Sequence, residues 1–131
     1  MFGKQKKGAA TIDSLIGLGT SVDGNLRFRG GLRIDGHVSG SVIAEEDASA
    51  MLVVSQSARI EGPVRAAHLV VSGTIEGPVQ ADEVLELHPG GRIIGEVRYR
   101  AMEIHAGAVV DGALVHLEEQ RPGLSLAASK G

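Results

Sequence analysis

The segment IEGPV occupies residues 60–64 and recurs unchanged at residues 75–79, and IDGHV at residues 34–38 has the same order of apolar, acidic, glycine and apolar residues. Related strings begin at Val22, Ile93 and Val110. The glycines on which five of these repeats align are Gly36, Gly62, Gly77, Gly95 and Gly112. Their spacings of 26, 15, 18 and 17 residues indicate an array of short structural units, which is typical of a solenoid.

Each repeat follows a run in which apolar and polar residues alternate, and alternation with a period of two predicts a strand. Two short strands joined by a glycine-containing bend, repeated about every 17 residues, predict one coil of a parallel β-helix. The inward side chains should then stack from coil to coil in three aliphatic columns. The predicted columns are Leu26, Leu52, Leu69, Leu85 and Met102; Ile34, Ile60, Ile75, Ile93 and Val110; and Val38, Val64, Val79, Val97 and Leu114.

The composition agrees with a slim all-β body, because the 131 residues include 19 glycines, one tyrosine, two phenylalanines and no tryptophan. We expect one β-helix domain at residues 13–117, between disordered tails at residues 1–12 and 118–131. The chain has no cysteine, so disulfides and thiolate metal sites are excluded.

The N-terminal segment MFGKQKK combines an apolar tip with cations, and every lysine of the chain lies near a terminus. We expect it to bind an anionic membrane surface weakly, with many copies in an assembly adding their affinities. The predicted membrane-binding residues are Met1, Phe2, Lys4, Lys6 and Lys7. No apolar run is long enough to span a bilayer and no signal peptide is recognised, so the predicted location is cytosolic or peripheral to the membrane.

The outward positions are also ordered. One predicted column contains Arg33, Arg59 and Arg92, and a second contains Asp35, Glu61, Glu76 and Asp111. A third should stack His88 and His105 in line with Arg29, Ser55 and Ser72. The histidine pair is interpreted as a surface feature, and no metal or cofactor is expected. Nucleotide binding is not expected because no phosphate-binding loop is present, and the acidic body, poor in aromatic residues, disfavours nucleic acid.

A β-helix exposes strand edges and its apolar interior at both ends, and no capping segment is recognised in the sequence. Short apolar coils at the two ends are therefore the predicted polymerisation interface. Its residues are Ile16, Leu18, Val22, Val109, Val110, Leu114 and Val115. The long first step contains residues 44–50, which form either a protruding loop or part of a coil of unusual length.

The chain resembles the bactofilins, bacterial cytoskeletal proteins that polymerise without nucleotide. The resemblance rests on the N-terminal Met-Phe with following lysines, on TIDSLIGLGTSVDGNLRFRGGLRIDGHVSGSV at residues 11–42, and on LVVSQSARIEGPVRA at residues 52–66. It implies a right-handed parallel β-helix of about six coils, joined end to end into non-polar filaments. It also implies a scaffold on the inner face of the cytoplasmic membrane, which recruits peptidoglycan enzymes or positions polar or chromosome-segregation machinery.

Two other functional classes remain open from the residues alone. Hexapeptide-repeat acyltransferases share the I-x-G-x-V pattern and would form a discrete trimer with a left-handed β-helix, but the repeat here does not keep a six-residue phase. A monomeric adaptor could use the acidic segment around Glu45 to bind a partner. We predict no catalytic residue, because a solid aliphatic interior leaves no cleft for a substrate.

Overall fold

The computed structural model describes residues 12–45 and 49–118. Strands account for most of these residues. They are β1 (Ile12–Ile16), β2 (Ser21–Asp23), β3 (Leu26–Phe28), β4 (Gly31–Ile34), β5 (His37–Ser39), β6 (Val42–Ala44), β7 (Met51–Val54), β8 (Arg59–Glu61), β9 (Val64–Val71), β10 (Thr74–Glu76), β11 (Val79–Leu87), β12 (Arg92–Ile94), β13 (Val97–Ile104), β14 (Val109–Asp111) and β15 (Leu114–His116). The predicted tails fall almost wholly outside the described residues, and β1 begins one residue inside the predicted N-terminal tail.

Every strand pairing is parallel, and the strands stack into three walls of six. Wall 1 is the sheet β2, β5, β8, β10, β12 and β14. Wall 2 consists of β3, β6, the first halves of β9, β11 and β13, and β15, whereas wall 3 consists of β1, β4, β7 and the second halves of β9, β11 and β13. The chain is therefore a parallel β-helix of about six coils, as predicted, and a spacing of about 4.8 Å per coil makes a rod of about 29 Å.

Four aliphatic columns fill the interior, one more than predicted. They are Val22, Val38, Ile60, Ile75, Ile93 and Val110; Leu26, Val42, Val64, Val79, Val97 and Leu114; Leu32, Leu52, Leu69, Leu85 and Met102; and Ile16, Ile34, Val54, Val71, Leu87 and Ile104. In the four central coils these side chains are at most 4% exposed. No polar or charged residue of the described chain is buried among them, so the hydrophobic effect holds the coils together.

Three residues of the first coils were assigned to the wrong columns. Leu26 stacks on Val42, Ile34 stacks on Val54, and Val38 stacks on Ile60. The physical cause is that IDGHV lies at a different corner from IEGPV. Its counterpart is the corner that joins β9 to β10, where Gly73 takes the place of Gly36.

Close backbone contacts explain why this corner, like the IEGPV corner, contains glycine. An added Cβ would lie 2.3 Å from the Thr20 carbonyl oxygen at Gly36 and 2.3 Å from the Ser55 carbonyl oxygen at Gly73. The chains there pass too close for a side chain, so glycine follows an apolar residue at this corner as well. The true repeat of the IEGPV corner is Gly24, Gly40, Gly62, Gly77, Gly95 and Gly112.

These six stacked glycines determine the shape of the corner between wall 1 and wall 2. All six residues have φ between 133° and 155°, a region that side chains make costly. From the second to the last, a Cβ would also lie within 2.1–2.6 Å of the carbonyl oxygen of the glycine below. Glycine is therefore required twice over at this corner, by backbone angle and by contact.

In the irregular first step, Val42 and Ile43 belong to a coil of unusual length, which is one of the two arrangements that the sequence left open. β6 (Val42–Ala44) is a regular strand between β3 and β9. The extra residues follow it and precede β7, where later coils pass from wall 2 to wall 3 within one continuous strand. Ala50 is fully buried where the chain re-enters the wall.

The outer surface of wall 1 carries the predicted ladder of charges in its central coils. The Arg59 guanidinium donates to Glu61 at 2.9 Å and also contacts Glu76. The hydrogen bond from Arg59 lowers the pKa of Glu61. Arg33 and Asp35 do not belong to this ladder, because the altered register of the first coils places them on wall 3, where they pair at 3.0 Å.

Candidate filament interfaces at the two ends

The outermost strands of the rod are unpaired on one side. β1, β2 and β3 form the N-terminal end, and β14, β15 and the second half of β13 form the C-terminal end. Backbone N–H and C=O groups that point along the rod axis from these strands have no strand partner among the described residues. An edge of this kind is a template for another chain.

The large apolar side chains that are exposed in the described chain all lie in the two terminal coils. They are Ile12 (42% exposed), Leu15 (60%) and Leu18 (75%) at the N-terminal end, and Ile104 (48%), Val109 (46%) and Leu114 (49%) at the C-terminal end. The four central coils of the described rod expose no large apolar side chain to this extent. Apolar surface concentrated in this way marks an interaction site.

The interior columns open directly onto these ends. Ile104 is the last member of its column, stacked on Leu87, and Leu114 is the last of another, stacked on Val97. Half of each side chain is exposed because no further coil covers it. A second molecule placed on this end would bury them.

The seven residues predicted as an interface are placed at the ends, but their side chains differ in direction. Four belong to interior columns, namely Ile16, Val22, Val110 and Leu114. Val109 and Val115 stack on Arg92 and Arg98 in outward columns, and Leu18 lies in a turn.

Sequence reasoning did not include Ile12, Leu15 and Ile104 among the predicted interface residues, although the structure exposes them in the terminal coils. Ile104 had a usable signal, because it continues the alternation of β13 and lies in phase with Leu87. It was overlooked since only three interior columns were recognised. Ile12 and Leu15 lie before the first repeat, where no periodicity marks them.

The histidine pair is stacked as predicted, with ring centroids of His88 and His105 4.7 Å apart. Each imidazole has a carboxylate neighbour, Glu86 at 3.0 Å and Glu103 at 3.1 Å. Asp35 and not Arg29 continues this column below Ser55, as the backbone hydrogen bonds show. Across residues 12–45 and 49–118, no three histidine, aspartate or glutamate side chains come together in a group that could hold a metal ion.

The surface of the described rod carries shallow, open grooves. One open groove of about 370 Å³ runs beside β6 and is lined by Arg27, Arg65 and Asp82 among others. Arg65 and Asp82 already pair with each other at 3.1 Å. The part of the chain that the structure describes also contains no helix long and apolar enough to cross a membrane.

Comparison with known proteins gives three matches of one kind. The family model for bactofilins, described as polymer-forming cytoskeletal, matches residues 14–115. Bactofilin BacP of Myxococcus xanthus (strain DK1622) is 28% identical over 121 residues, which are 92% of this chain and 48% of BacP, so the chain spans about half the length of that relative. A cryo-EM reconstruction of Thermus thermophilus bactofilin double helical filaments superposes with a TM-score of 0.67 at 32% identity, covering 77% of this chain and 98% of that one.

Proposed function

The chain belongs to the bactofilin family of polymer-forming cytoskeletal proteins, and we propose that it polymerises end to end without nucleotide and serves as a scaffold, not an enzyme, at the cytoplasmic membrane. In this role the polymer recruits cell-wall or cell-shape machinery, such as peptidoglycan-modifying enzymes or polar and chromosome-segregation proteins. No cofactor takes part. The Thermus protein, described as forming double helical filaments, supports polymerisation of a rod with this fold.

The observation that carries the proposal is the confinement of exposed large apolar side chains to the two terminal coils. Joining two ends removes this surface from water and supplies partners for the unpaired strand edges. Neither step needs a bound nucleotide or metal. The energy comes from burial of aliphatic side chains and pairing of strand edges, which are the kinds of interaction that also hold the coils of the rod together.

The proposed filament is non-polar, with N-terminal ends meeting each other and C-terminal ends meeting each other. Each junction is then an isologous contact about a two-fold axis. The N-terminal junction involves Ile12, Leu15 and Leu18 together with the column residues Ile16 and Val22. The C-terminal junction involves Ile104, Val109, Val110, Leu114 and Val115.

Leu18→Arg tests the N-terminal junction. Leu18 is 75% exposed, so the substitution leaves the coil intact but places charge in the contact, where desolvation is costly. We expect the protein to lose sedimentation as polymer while keeping the β-sheet signal in circular dichroism. Ile94→Arg on wall 1 introduces the same charge between Glu76 and Asp111 and should sediment normally. Unchanged sedimentation of Leu18→Arg would argue against this junction.

Membrane attachment is assigned to Met1, Phe2, Lys4, Lys6 and Lys7, which lie outside the described residues. Each lysine near an anionic surface contributes about 1 kcal/mol, and the apolar tip adds insertion. One copy binds weakly, whereas a polymer presents many tails along one surface. Attachment is therefore coupled to assembly.

Removal of residues 1–7 is expected to release the polymer from anionic liposomes without changing its sedimentation in their absence. Replacing the three lysines with glutamine should weaken binding to anionic vesicles, because the charge attraction is removed and Phe2 is kept. Flotation on a density gradient measures both variants beside the full chain. Binding that survives removal of residues 1–7 would assign attachment to another part of the protein.

A trimeric hexapeptide-type acyltransferase and a monomeric adaptor fit the observations less well. The glycine corners repeat at steps of 16, 22, 15, 18 and 17 residues, which is not a six-residue phase. Both alternatives also require protected ends, whereas the large apolar residues that are exposed in residues 12–45 and 49–118 lie at the two ends.

A further inference from the structure

Wall 3 presents an outer surface that differs from the other walls. Its central outward column contains Leu15, Arg33, Val53, Val70, Glu86 and Glu103, in order along the rod. The column is thus basic near the N-terminal end, apolar in the middle and acidic near the C-terminal end. The neighbouring outward column contains Met51, His68 and Val84 beside this centre, so one imidazole lies between two apolar side chains.

These apolar side chains are half-buried in one molecule, with part of each open to solvent. The middle of wall 1 is different, because the charged residues Arg59, Glu61 and Glu76 occupy it. On wall 2 the outward column contains Arg27, Arg65 and Arg98. Only wall 3 of the described rod has an apolar centre with a basic residue on its N-terminal side and acidic residues on its C-terminal side.

A sequence of charges that reads basic, apolar, acidic is complementary to its own reverse. Two antiparallel rods can face each other through wall 3. Their two-fold axis then runs parallel to the strands and passes between the third and fourth coils. The same column of each rod then meets its copy in reverse order. Val53 lies opposite Val70, and Arg33 lies opposite Glu86.

The next outward column reinforces this match. It contains Asp35, Ser55, Ser72 and His88 in successive coils. The same two-fold axis places Asp35 opposite His88 and Ser55 opposite Ser72. Arg33 with Asp35 on one rod therefore meets Glu86 with His88 on the other, and each basic group faces an acidic one.

From this pattern we propose that wall 3 is the lateral interface between two filaments of this protein, with a second copy of the chain, antiparallel, as its occupant. The inference rests on the proposed end-to-end assembly. One rod contributes a small contact, but a filament repeats it at every subunit, and multivalency makes a weak lateral contact effective. A shift of one coil places Arg33 opposite Val70 in one direction. In the other direction Arg33 meets Glu103 but Val53 meets Glu86. The charges and the apolar centre therefore set the register together.

The test is a charge exchange. Arg33→Glu places carboxylates opposite one another in the pair, and Glu86→Arg places guanidinium groups opposite one another. Each single variant is expected to form single filaments, with at least about tenfold fewer paired segments than the wild type in electron micrographs, because opposed like charges disfavour the contact. The double variant restores the opposite charges and should pair again.

Rescue in the double variant distinguishes a contact between molecules from a defect within one. Arg33 and Glu86 lie three coils apart, at about 14 Å, so they do not form an ion pair in the same rod. Exchange of their charges leaves the local pairs with Asp35 and His88 unfavourable in both the single and the double variants. Only a contact between molecules recovers.

Val53→Lys supplies an independent check that does not depend on salt bridges. It places charge at the apolar centre and should also give single filaments, whereas Thr74→Lys on wall 1 should leave pairing unchanged. Persistent pairing in the single charge variants, or failure of the double variant to pair, would overturn the lateral interface. If wild-type filaments are single and Val53→Lys abolishes their binding to liposomes, wall 3 would instead be assigned to the membrane. Single wild-type filaments of any kind overturn the lateral proposal alone, and absence of filaments overturns end-to-end assembly as well.

Discussion

Ile104→Arg is expected to convert filaments into discrete dimers. The side chain is the last member of an interior column and is 48% exposed at the C-terminal end. Arginine there must either project into the junction or be desolvated within it, and an unpaired buried charge costs several kcal/mol. The critical concentration for assembly should rise at least about 100-fold, which corresponds to about 2.7 kcal/mol.

The product of this variant also reports filament polarity. In a non-polar filament the N-terminal ends still meet when the C-terminal ends are blocked, so each molecule keeps one partner. In a polar filament every junction uses one C-terminal end, and the variant would be monomeric. Analytical ultracentrifugation separates the two outcomes, and Ile94→Arg, the same substitution on wall 1, serves as the control that should still polymerise.

Monomers of Ile104→Arg with an intact circular dichroism spectrum would contradict the non-polar arrangement. Filaments at wild-type concentration would contradict the C-terminal junction as a whole. A dimer that is lost when Leu18→Arg is added would locate the remaining contact at the N-terminal end.

Gly77→Ala is expected to destabilise the β-helix by about 3 kcal/mol or more. Its φ is 149°, and a Cβ would lie 2.5 Å from the Gly62 carbonyl oxygen and 2.7 Å from its carbonyl carbon. Both contacts are with backbone, so relief requires two coils to separate. Such separation would open the interior columns that Ile75 and Val79 occupy on either side of the corner.

Gly90→Ala is the matched control. Gly90 also has positive φ, 90°, but the nearest atom to an added Cβ is 3.8 Å away. The cost there is limited to backbone strain, about 1 to 2 kcal/mol. Urea denaturation of both variants should be carried out in the Ile104→Arg background, because polymerisation would otherwise add to apparent stability. Equal losses at the two positions would show that the glycine stack does not depend on close contact.

The fold class could be predicted from the sequence because every coil has the same pattern of alternating strands and a glycine corner. Apolar alternation marks the strands, and the glycine marks the corner where backbone angle and close contact exclude other residues. The repeats at Gly62, Gly77, Gly95 and Gly112 were placed correctly for this reason. Those coils share one register and differ by only a few residues in length.

The first coils could not be phased from sequence. Two corners of the β-helix select the same string of apolar residue, polar residue and glycine, so Gly36 was taken for the corner that Gly40 occupies. The extra residues after Ala44 lengthen the spacing to Gly62 whether Gly36 or Gly40 is assigned to the corner. The spacing therefore does not distinguish the two assignments. Leu26, Ile34 and Val38 were misassigned together as a result.

The ends and the outer walls depend on this register and were predicted less completely. That terminal coils expose apolar residues follows from the repeat alone, but Ile104 required the fourth column. The charge order of wall 3 emerges only when Arg33 is aligned with Val53 and Glu86, and the predicted alignment had placed Arg33 on the wall of Arg59.

Negative-stain electron microscopy of the purified full chain, in physiological salt with no nucleotide or metal added, shows whether the protein polymerises spontaneously. Spontaneous end-to-end assembly predicts filaments a few nanometres wide, in keeping with a rod whose core is about 10 Å thick between its sheets. Uniform small particles at high protein concentration would contradict it, and would return the protein to the classes of discrete trimer or capped monomer.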